Sequence, residues 1–404
     1  MTETYDFLIV GGGPAGLSAA ITAVRNGFSA LLLEQGDRLG PFPRGEGVSH
    51  HPLFDQLLGK GFLEERSHQT HHGALFHSPG AHQQAFKPAA RPLHFFEWRD
   101  FIDRLGEVAT VSGAVIRTSC RVTGVVEDDR GQCIGVRYVD EAGVQQSARG
   151  ATVFGCDGHR SVVGRYYQVD HEALSCPIIK CRLAHASFDP VQTKALQFFL
   201  IGNGDLPMAP RFPPCVAYAF PLPDQKMEVG LMLRMGRAPA MATVDRPNEG
   251  TLTAVWSELK QSYPKFRSYF EGADIEFEQP TDLPNATLWR NNVPAPGAVL
   301  LGDSVGFVDP FGSSGILSSM RMAQLWTDLI AATMGQARGR SQRLWTARNL
   351  AKWRRAYVAS GCYRHVRNNY LKIGMIEWVV FKHLRSADRI NHRWGAIARL
   401  LALG

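Results

Sequence analysis

A glycine-rich turn near the amino terminus has the spacing of a phosphate-binding loop, with G-x-G-x-x-G formed by Gly11, Gly13 and Gly16. The first glycine permits a tight turn, the second lets the backbone approach a pyrophosphate, and the third lets the following helix meet the preceding strand. That helix begins at Pro14 and Ala15, so its free N–H groups can face the anion. Glu34 ends the next apolar run, where a carboxylate accepts hydrogen bonds from ribose hydroxyls and repels a 2′-phosphate. The pattern predicts a dinucleotide site.

Apolar runs and turns predict the elements that must position this site. Residues 5–34 read as a strand, a helix and a second strand, which is the setting in which such a turn binds its ligand. Strand-like alternation follows at 119–155, and a second region with strand patterns covers about 171–285. A strand, a glycine-rich loop and a helix return at 297–329. Residues 36–94, rich in Gly, Pro and His, are expected to form loops and short helices.

Length, net charge and composition limit the classes of protein to which this chain could belong. The chain has 404 residues, a formal net charge of +7 and 45% hydrophobic residues, which suits a globular protein with more than one domain. It shows no signal segment and no apolar run of the roughly 20 residues that span a bilayer, so we expect a cytoplasmic location. No recognition motif accompanies the charge, and we expect no nucleic-acid partner. The seven cysteines and the irregularly spaced histidines form no metal-ligand pattern, so no metal site is predicted.

Two later segments indicate which dinucleotide is bound. "VFGCDGHRSVVGR" at 153–165 and "VLLGDSVGFVDPFGSSGILSSMRMA" at 299–323 resemble segments of the flavoprotein superfamily that contains para-hydroxybenzoate hydroxylase, geranylgeranyl reductases and flavin-dependent halogenases. The resemblance implies FAD as the cofactor. It implies that Asp303 contacts the ribityl chain, and that Asp157 and Gly158 support the binding of the FAD pyrophosphate and, as in the hydroxylases, of NAD(P)H. Two arginines also match positions near the flavin: Arg44 and Arg99.

The same resemblance sets the expected architecture. It implies an α/β (α+β overall) protein with a Rossmann-type FAD-binding domain, an inserted β-sheet substrate domain and a helical C-terminal region. The expected boundaries are 1–75, 95–170 and 286–335 for the FAD-binding domain, 76–94 and 171–285 for the β-rich substrate-binding domain, and 336–404 for the basic helical region.

The loop after Asp303 is expected to face the flavin. Its small residues leave backbone N–H groups free to stabilise negative charge at the pyrimidine edge of the flavin. The cofactor contacts expected in this motif are Gly302, Asp303, Pro310, Gly312, Ser313, Ser314, Gly315 and Ile316.

Features of several branches of the superfamily occur together. "FVDPFGSSG" at 307–315 fits the halogenase pattern F-x-x-P-x-x-S-x-G, but Val216 and Tyr218 stand at the halogenase tryptophan positions and the halogenase lysine is not apparent. "PPCVAYAFP" at 213–221 resembles the substrate-channel element of geranylgeranyl reductases. The favoured interpretation is a monooxygenase that acts on an aromatic or hydrophobic small molecule, free or carrier-bound, through a flavin C4a-hydroperoxide. Halogenation, double-bond reduction and a non-catalytic flavin-binding protein are the alternatives.

Candidate catalytic side chains lie outside the glycine motifs. His71 and His72 could serve as acid or base, because histidine titrates near neutral pH. Tyr218 lies in the expected substrate domain, and Ser313 is the serine of the halogenase pattern. A second nucleotide-binding glycine motif is absent from the sequence. The electrons are therefore expected from transiently bound NAD(P)H or from a separate flavin reductase, with O2 as the co-substrate of oxygenation.

The basic C-terminal region has its own pattern. Between residues 363 and 385 apolar residues recur at roughly helical intervals among basic ones, which predicts an amphipathic helix docked on the core. The alternative is a helix that contacts a membrane surface, a lipidic substrate or an acidic carrier protein.

Overall fold

The computed structural model describes residues 3–40, 45–169, 175–188, 195–207, 215–222, 224–233, 249–284, 292–309, 315–337, 344–384 and 386–402. Its strands are, in chain order, β1 (Glu3–Val10), β2 (Ala30–Leu33), β3 (Gly45–Ser49), β4 (Gln69–His77), β5 (Gln84–Glu97), β6 (Val115–Arg117), β7 (Arg121–Glu127), β8 (Cys133–Val139), β9 (Gln145–Gly155), β10 (Ser175–Ala184), β11 (Leu196–Ile201), β12 (Cys215–Pro221), β13 (Met227–Leu233), β14 (Asp274–Pro284) and β15 (Ala298–Leu300).

The helices are α1 (Pro14–Arg25), α2 (Pro52–Leu58), α3 (Phe62–Arg66), α4 (Trp98–Val111), α5 (Val162–Tyr166), α6 (Glu249–Ser262), α7 (Pro264–Phe270), α8 (Ile316–Ala337), α9 (Ala347–Ala359), α10 (Gly361–Glu377), α11 (Ala387–His392) and α12 (Trp394–Ala402). Short 3₁₀ turns cover Pro79–Ala81 and Gly302–Val305, and a π-helical turn at Trp378–Leu384 continues α10. None of the helices in the described parts of the chain has the length and apolar character needed to cross a bilayer.

The first sheet has a parallel centre in the order β6-β2-β1-β9, and β15 pairs with the end of β9. The second half of β1 and all of β2 are apolar and buried because both faces of the sheet are covered there, as in parallel sheets generally. Phe7, Leu8 and Ile9 of β1 are fully buried, and α1 packs against both α4 and α8. The antiparallel strands β7 and β8 extend the sheet beside the first half of β9. The predicted α/β class with a Rossmann-type first domain is confirmed.

The second sheet has eight strands in the order β14-β10-β13-β12-β11-β4-β5-β3. Alternate residues of its strands face opposite sides. Val229 and Leu231 of β13 pack against a cluster that includes Trp256 of α6 and Phe266 of α7. The opposite face, which holds the intervening residues such as Met232, is directed toward the first sheet and the C-terminal helices.

In the described part of residues 36–94 the predicted short helices are present as α2 and α3, but strands replace much of the predicted loop. These strands are β3, β4 and most of β5. β4 pairs antiparallel with the next strand, β5, and in parallel with β11, which is distant in sequence. These pairings satisfy the backbone hydrogen-bonding groups of a segment whose composition favours turns. The second sheet therefore begins at residue 45, before the boundary expected at residue 76. The full division into domains stays a prediction.

The C-terminal helices pack on the same inner face of the second sheet. Val380, which follows α10, and Ile397 of α12 lie in a cluster with Phe76 and Leu200 of the sheet. Val366, at the other end of α10, packs into the core of the first domain. α10 is thus docked against both parts of the molecule, as its helical spacing predicts.

Candidate functional site

A cavity of about 820 Å³ lies between the two sheets. The strands β1, β2, β9 and β15 of the parallel centre all end at it, and the residues at or just after these ends line its wall: Gly11, Glu34, Asp157 and Leu301. Ligands of open parallel sheets bind at the carboxyl ends of the strands, so this is the expected place for a nucleotide. The inner face of the second sheet forms the opposite wall.

The three glycines of the turn, Gly11, Gly13 and Gly16, have different structural roles. Gly11 has φ +101°, and a Cβ there would overlap the backbone carbonyl of Cys156. A Cβ at Gly16 would overlap the carbonyl oxygen of Gly11, so this glycine permits the close contact of helix and strand. Gly13 differs, because its φ of −81° suits any residue and a Cβ would meet no atom within 4 Å. Gly13 lines the cavity together with Pro14 and Ala15, so its lack of a side chain leaves room for a ligand.

Glu34 is held in place by the turn itself. Its Oε2 accepts a 2.7 Å hydrogen bond from the backbone N–H of Gly12, and its Oε1 accepts a 2.8 Å bond from that of Gly36. Each carboxylate oxygen retains a second acceptor site. Because Glu34 also lines the cavity, it is fixed where it can accept hydrogen bonds from ribose hydroxyls.

Asp157 positions the loop after β9. Its Oδ1 accepts a 2.6 Å hydrogen bond from Ser161 Oγ, and its Oδ2 accepts a 2.6 Å bond from the N–H of Val162 at the start of α5. Burial raises the pKa of the Asp157 carboxyl, and these hydrogen bonds act in the opposite direction. Gly158 follows with φ +74° and no atom within 4 Å of a built Cβ. The pair therefore combines an anchored carboxylate with an open stretch of backbone on the cavity wall.

The last motif reaches the cavity through three of its expected residues, Asp303, Gly315 and Ile316. Asp303 lines the cavity within the 3₁₀ turn, and Gly315 and Ile316 line it at the start of α8. A Cβ at Gly315 would lie 3.2 Å from Asp303 Oδ1, so the two ends of the motif meet. Gly302 has φ +66° and packs against Ser319.

The remaining expected cofactor contacts are placed differently or lie outside the described residues. Arg99 does not line the cavity; its Nη1 donates to the carbonyl of Leu39 at 2.7 Å and its Nη2 to that of Gly40 at 2.6 Å. Since Gly40 does line the cavity, Arg99 fixes the wall from behind. The expected contacts outside the described residues are Arg44, Pro310, Gly312, Ser313 and Ser314.

The wall formed by the second sheet is rich in aromatic side chains. The apolar residues that line it include Phe95, Phe198, Tyr218, Phe220, Met232 and Phe277. Tyr218 and Phe220 lie on adjacent inward positions of β12 with ring centroids 6.2 Å apart. A Cβ at Gly230 would overlap the Tyr218 hydroxyl, so Gly230 makes room for this ring. The aromatic wall could therefore bind the hydrophobic part of a substrate next to the nucleotide.

Charged side chains interrupt this wall in pairs. Lys180 Nζ lies 3.2 Å from Glu46 Oε1, and both residues line the cavity. Glu228 also lines it, is 1% exposed, and pairs with Arg182 at 3.1 Å. Arg182 makes a second pair with Glu97, also at 3.1 Å. The sequence reasoning missed these residues, because Lys180 and Arg182 read as scattered charges. The register of β10 with β13 places Arg182 opposite Glu228, whereas Lys180 meets Glu46 of β3, a strand that does not pair with β10.

The two histidines proposed as acid and base do not line the cavity. His71 is fully buried, its ring centroid is 4.4 Å from that of Phe95, and neither ring nitrogen has a hydrogen-bond partner among the described residues. Burial lowers the pKa of His71 to about 4. His72 is exposed on the other side of β4. Their acid-base role stays a prediction that the geometry does not support.

A second group missed by sequence reasoning joins the flavin motif to the C-terminal region. Asp309 is 9% exposed, and its Oδ2 accepts a 2.9 Å hydrogen bond from Nδ2 of Asn369 and lies 3.0 Å from Nε2 of His365. Its neighbour Val308 lines the cavity. α10 thereby holds one end of the motif, although no local sequence signal pairs it with Asp309.

These residues fit an FAD molecule. Glu34 offers acceptors for a ribose, Gly13 and Gly158 leave backbone open to a pyrophosphate, and Asp303 with Gly315 occupies the end nearest the second sheet. FAD supplies redox chemistry when it is bound there, and the protein supplies position and electrostatics. Fold and site together define an FAD-dependent oxidoreductase.

The chain belongs to the FAD binding domain family, whose profile matches residues 4–351. It is similar to digeranylgeranylglycerophospholipid reductase 1 of Methanococcoides burtonii, with 28% identity over 338 residues that cover 82% of this chain and 75% of the relative. Among solved structures it is similar to a geranylgeranyl bacteriochlorophyll reductase-like protein of Thermoplasma acidophilum, with a TM-score of 0.78, 18% identity, and coverage of 98% of this chain and 92% of that one.

Structures with other activities share the fold. The flavin-dependent brominase Bmp2 has a TM-score of 0.68 at 17% identity, with 99% of this chain and 93% of that one covered. PqsL of Pseudomonas aeruginosa, described as a probable FAD-dependent monooxygenase, has a TM-score of 0.63 at 15% identity, with 97% and 100% covered. At these identities the structures establish the fold, and the superfamily resemblance read from the sequence is confirmed.

Proposed function

We propose that the protein is an FAD-dependent reductase that saturates a carbon–carbon double bond in an elongated hydrophobic substrate of isoprenoid type. The observation that carries this proposal is the continuous cavity, which runs from the dinucleotide cradle to an aromatic wall on the second sheet. The sequence similarity to a digeranylgeranylglycerophospholipid reductase supports the same choice. On this support we put reduction, an alternative in the sequence analysis, ahead of oxygenation.

The reaction needs a hydride equivalent on one carbon of the double bond and a proton on the other. Glu34, Gly13 and Asp303 would hold FAD, which in its reduced form would supply the hydride equivalent; its electrons would come from an external donor, NAD(P)H or a separate flavin reductase. The second sheet supplies the surface that holds the alkene: Phe95, Phe198 and Phe220 exclude water and align a chain-like molecule.

We assign the donation of this proton, to the second carbon of the double bond, to the hydroxyl of Tyr218. It lines the cavity between Phe198 on the neighbouring strand and Phe220, and its hydroxyl lies over Gly230. A positioned proton donor contributes about 10² to 10⁴ in rate. Replacement of Tyr218 by Phe keeps the ring and removes the proton, so kcat falls by about that factor while KM changes little.

The test is an anaerobic single turnover. The holoenzyme is reduced with dithionite and mixed, without O2, with geranylgeraniol or a geranylgeranyl lipid. We expect the absorbance of oxidised flavin to return, and a product that contains one more pair of hydrogen atoms. A flavin that stays reduced until O2 is admitted, followed by a product that carries an oxygen atom from labelled O2, would overturn the proposal.

Oxygenation is the second candidate. The aromatic wall suits a planar aromatic substrate as well as an isoprenoid, and the fold is shared with PqsL. The anaerobic experiment separates the two, because oxygenation needs O2 as the oxidant and reduction does not. Direct halogenation is the weaker alternative, since Val216 and Tyr218 replace the two tryptophans of the halogenase pattern.

A further inference from the structure

Large apolar side chains are exposed along one face of α10 and the turn that continues it. Leu371 is 63% exposed, Met375 46% and Trp378 50%. Their spacing of four and then three residues places them on one side of a helix. The opposite side is docked, because Val366 and Ile376 are 1% and 4% exposed. We call Leu371, Met375 and Trp378 the α10 stripe.

The same part of the chain carries its excess positive charge. Residues 344–384 contain eight Lys or Arg residues and one acidic residue, so this segment alone accounts for the net charge of +7 of the whole chain. Arg364 and Arg367 are exposed on α10, about two turns and one turn before the stripe, respectively. Arg348 and Arg355 are exposed on the neighbouring α9. An apolar stripe therefore lies within a strongly basic surface.

We propose that the α10 stripe and the arginines beside it form a docking surface for an anionic lipid membrane. Leu371, Met375 and Trp378 enter the headgroup region, and the basic side chains bind lipid phosphates. Tryptophan suits this position because its ring is apolar and its N–H finds a partner at the polar boundary. The helix itself stays docked on the protein, so the contact is peripheral.

Other occupants fit the surface less well. A second copy of the chain would bring two surfaces of high positive charge together, and like charges repel. An acidic protein would match the arginines but would leave the stripe, which needs an apolar environment, without a reason for its exposure. An anionic membrane satisfies both features at once. The proposal does not depend on which redox reaction the protein performs.

The test is flotation of the full-length holoenzyme with vesicles of phosphatidylcholine alone or of phosphatidylcholine mixed with phosphatidylglycerol. We expect binding to the mixed vesicles that weakens with salt. The triple variant L371S/M375S/W378S should bind at least tenfold more weakly, because about 1.5 to 3 kcal/mol is lost per buried apolar side chain and each 1.4 kcal/mol is about tenfold. The pair R364Q/R367Q should lower binding by about fivefold per arginine.

A matched control and a local probe accompany these variants. Val111→Ser alters a side chain that is 82% exposed on α4 and should leave binding unchanged. Vesicles that contain brominated phospholipid should quench tryptophan emission, and W378F should lower that quenching, since Trp98, Trp256, Trp326, Trp353 and Trp394 are each at most 5% exposed. Trp345 is half-buried and Trp289 lies outside the described residues, so the measured quantity is the part of the quenching that W378F removes.

Three results would overturn the proposal. The first is an absence of binding to mixed vesicles by a holoenzyme with its full complement of FAD. The second is binding that the triple variant retains in full. The third is concentration-dependent self-association, or capture by an acidic carrier protein, that the triple variant abolishes while vesicles bind neither protein.

Discussion

Asn369 of α10 donates a 2.9 Å hydrogen bond to the buried carboxylate of Asp309. Asp309 follows Val308, which lines the cavity, and precedes the glycine-serine part of the flavin motif. This hydrogen bond therefore links α10 directly to the segment that forms the cofactor site.

The first prediction concerns this connection. Asn369→Ala should lower the free energy of unfolding by about 1.5 to 3 kcal/mol, because it removes a hydrogen bond to a charged group. It should also weaken FAD binding, measured by fluorescence titration of the apoprotein. Asn368→Ala, at the exposed neighbouring position, is the matched control. Unchanged FAD affinity in Asn369→Ala would show that Asp309 does not position the motif.

The second prediction separates the roles of the glycines. Gly13→Val should abolish FAD binding while the melting temperature of the apoprotein stays unchanged, because its backbone suits valine and the side chain enters the cavity. Gly11→Ala should instead destabilise the apoprotein, since its Cβ would overlap the backbone of Cys156.

The control for these glycine variants lies on α8. Gly335→Ala is at an exposed position with no atom near a built Cβ, and it should raise stability by up to about 1 kcal/mol without a change in FAD affinity. Tight FAD binding by Gly13→Val would contradict the placement of the nucleotide against the turn.

The third prediction is a dependence of stability on pH that arises from His71. Burial lowers its pKa from 6.5 to about 4 in the folded protein, so the unfolded chain binds more protons between these values. Stability is therefore lost as the pH falls from about 6.5 to about 4, by up to about 3 kcal/mol. His71→Phe should flatten urea midpoints over this range.

His72→Phe, an equal change at an exposed position of the same strand, is the control for the His71 variant. A His71→Phe protein that loses stability toward acid as steeply as the wild type would mean that His71 is protonated, or solvated, in the folded state.

The fourth prediction contrasts a buried ion pair with an exposed one. Arg182→Met should cost about 3 to 5 kcal/mol, because Glu228, which is 1% exposed, would lose the arginine that compensates its charge. Arg117→Met breaks a pair with Glu3 whose side chains are 33% and 48% exposed, and should cost less than about 1 kcal/mol. Equal losses in urea denaturation would show that Glu228 is solvated or protonated in the folded protein.

The cofactor site could be outlined from the amino-acid sequence. The glycine turn, Glu34 and the pair at Asp157 could be read because each belongs to a short segment whose spacing is fixed by one turn between a strand and a helix. The parallel α/β class followed from the same local units, and the docked side of α10 followed from its helical period.

The residues on the substrate side of the cavity could not be predicted from sequence, because contacts between distant parts of the chain bring them together. β4 pairs with β11, which lies more than a hundred residues away, and His71, which pairs with Leu93 of β5, is fully buried. Glu228 meets Arg182 across 46 residues and Asp309 meets Asn369 across 60. Such contacts depend on strand register and helix docking, which reflect the packing of the whole chain and leave no pattern in any short window of sequence.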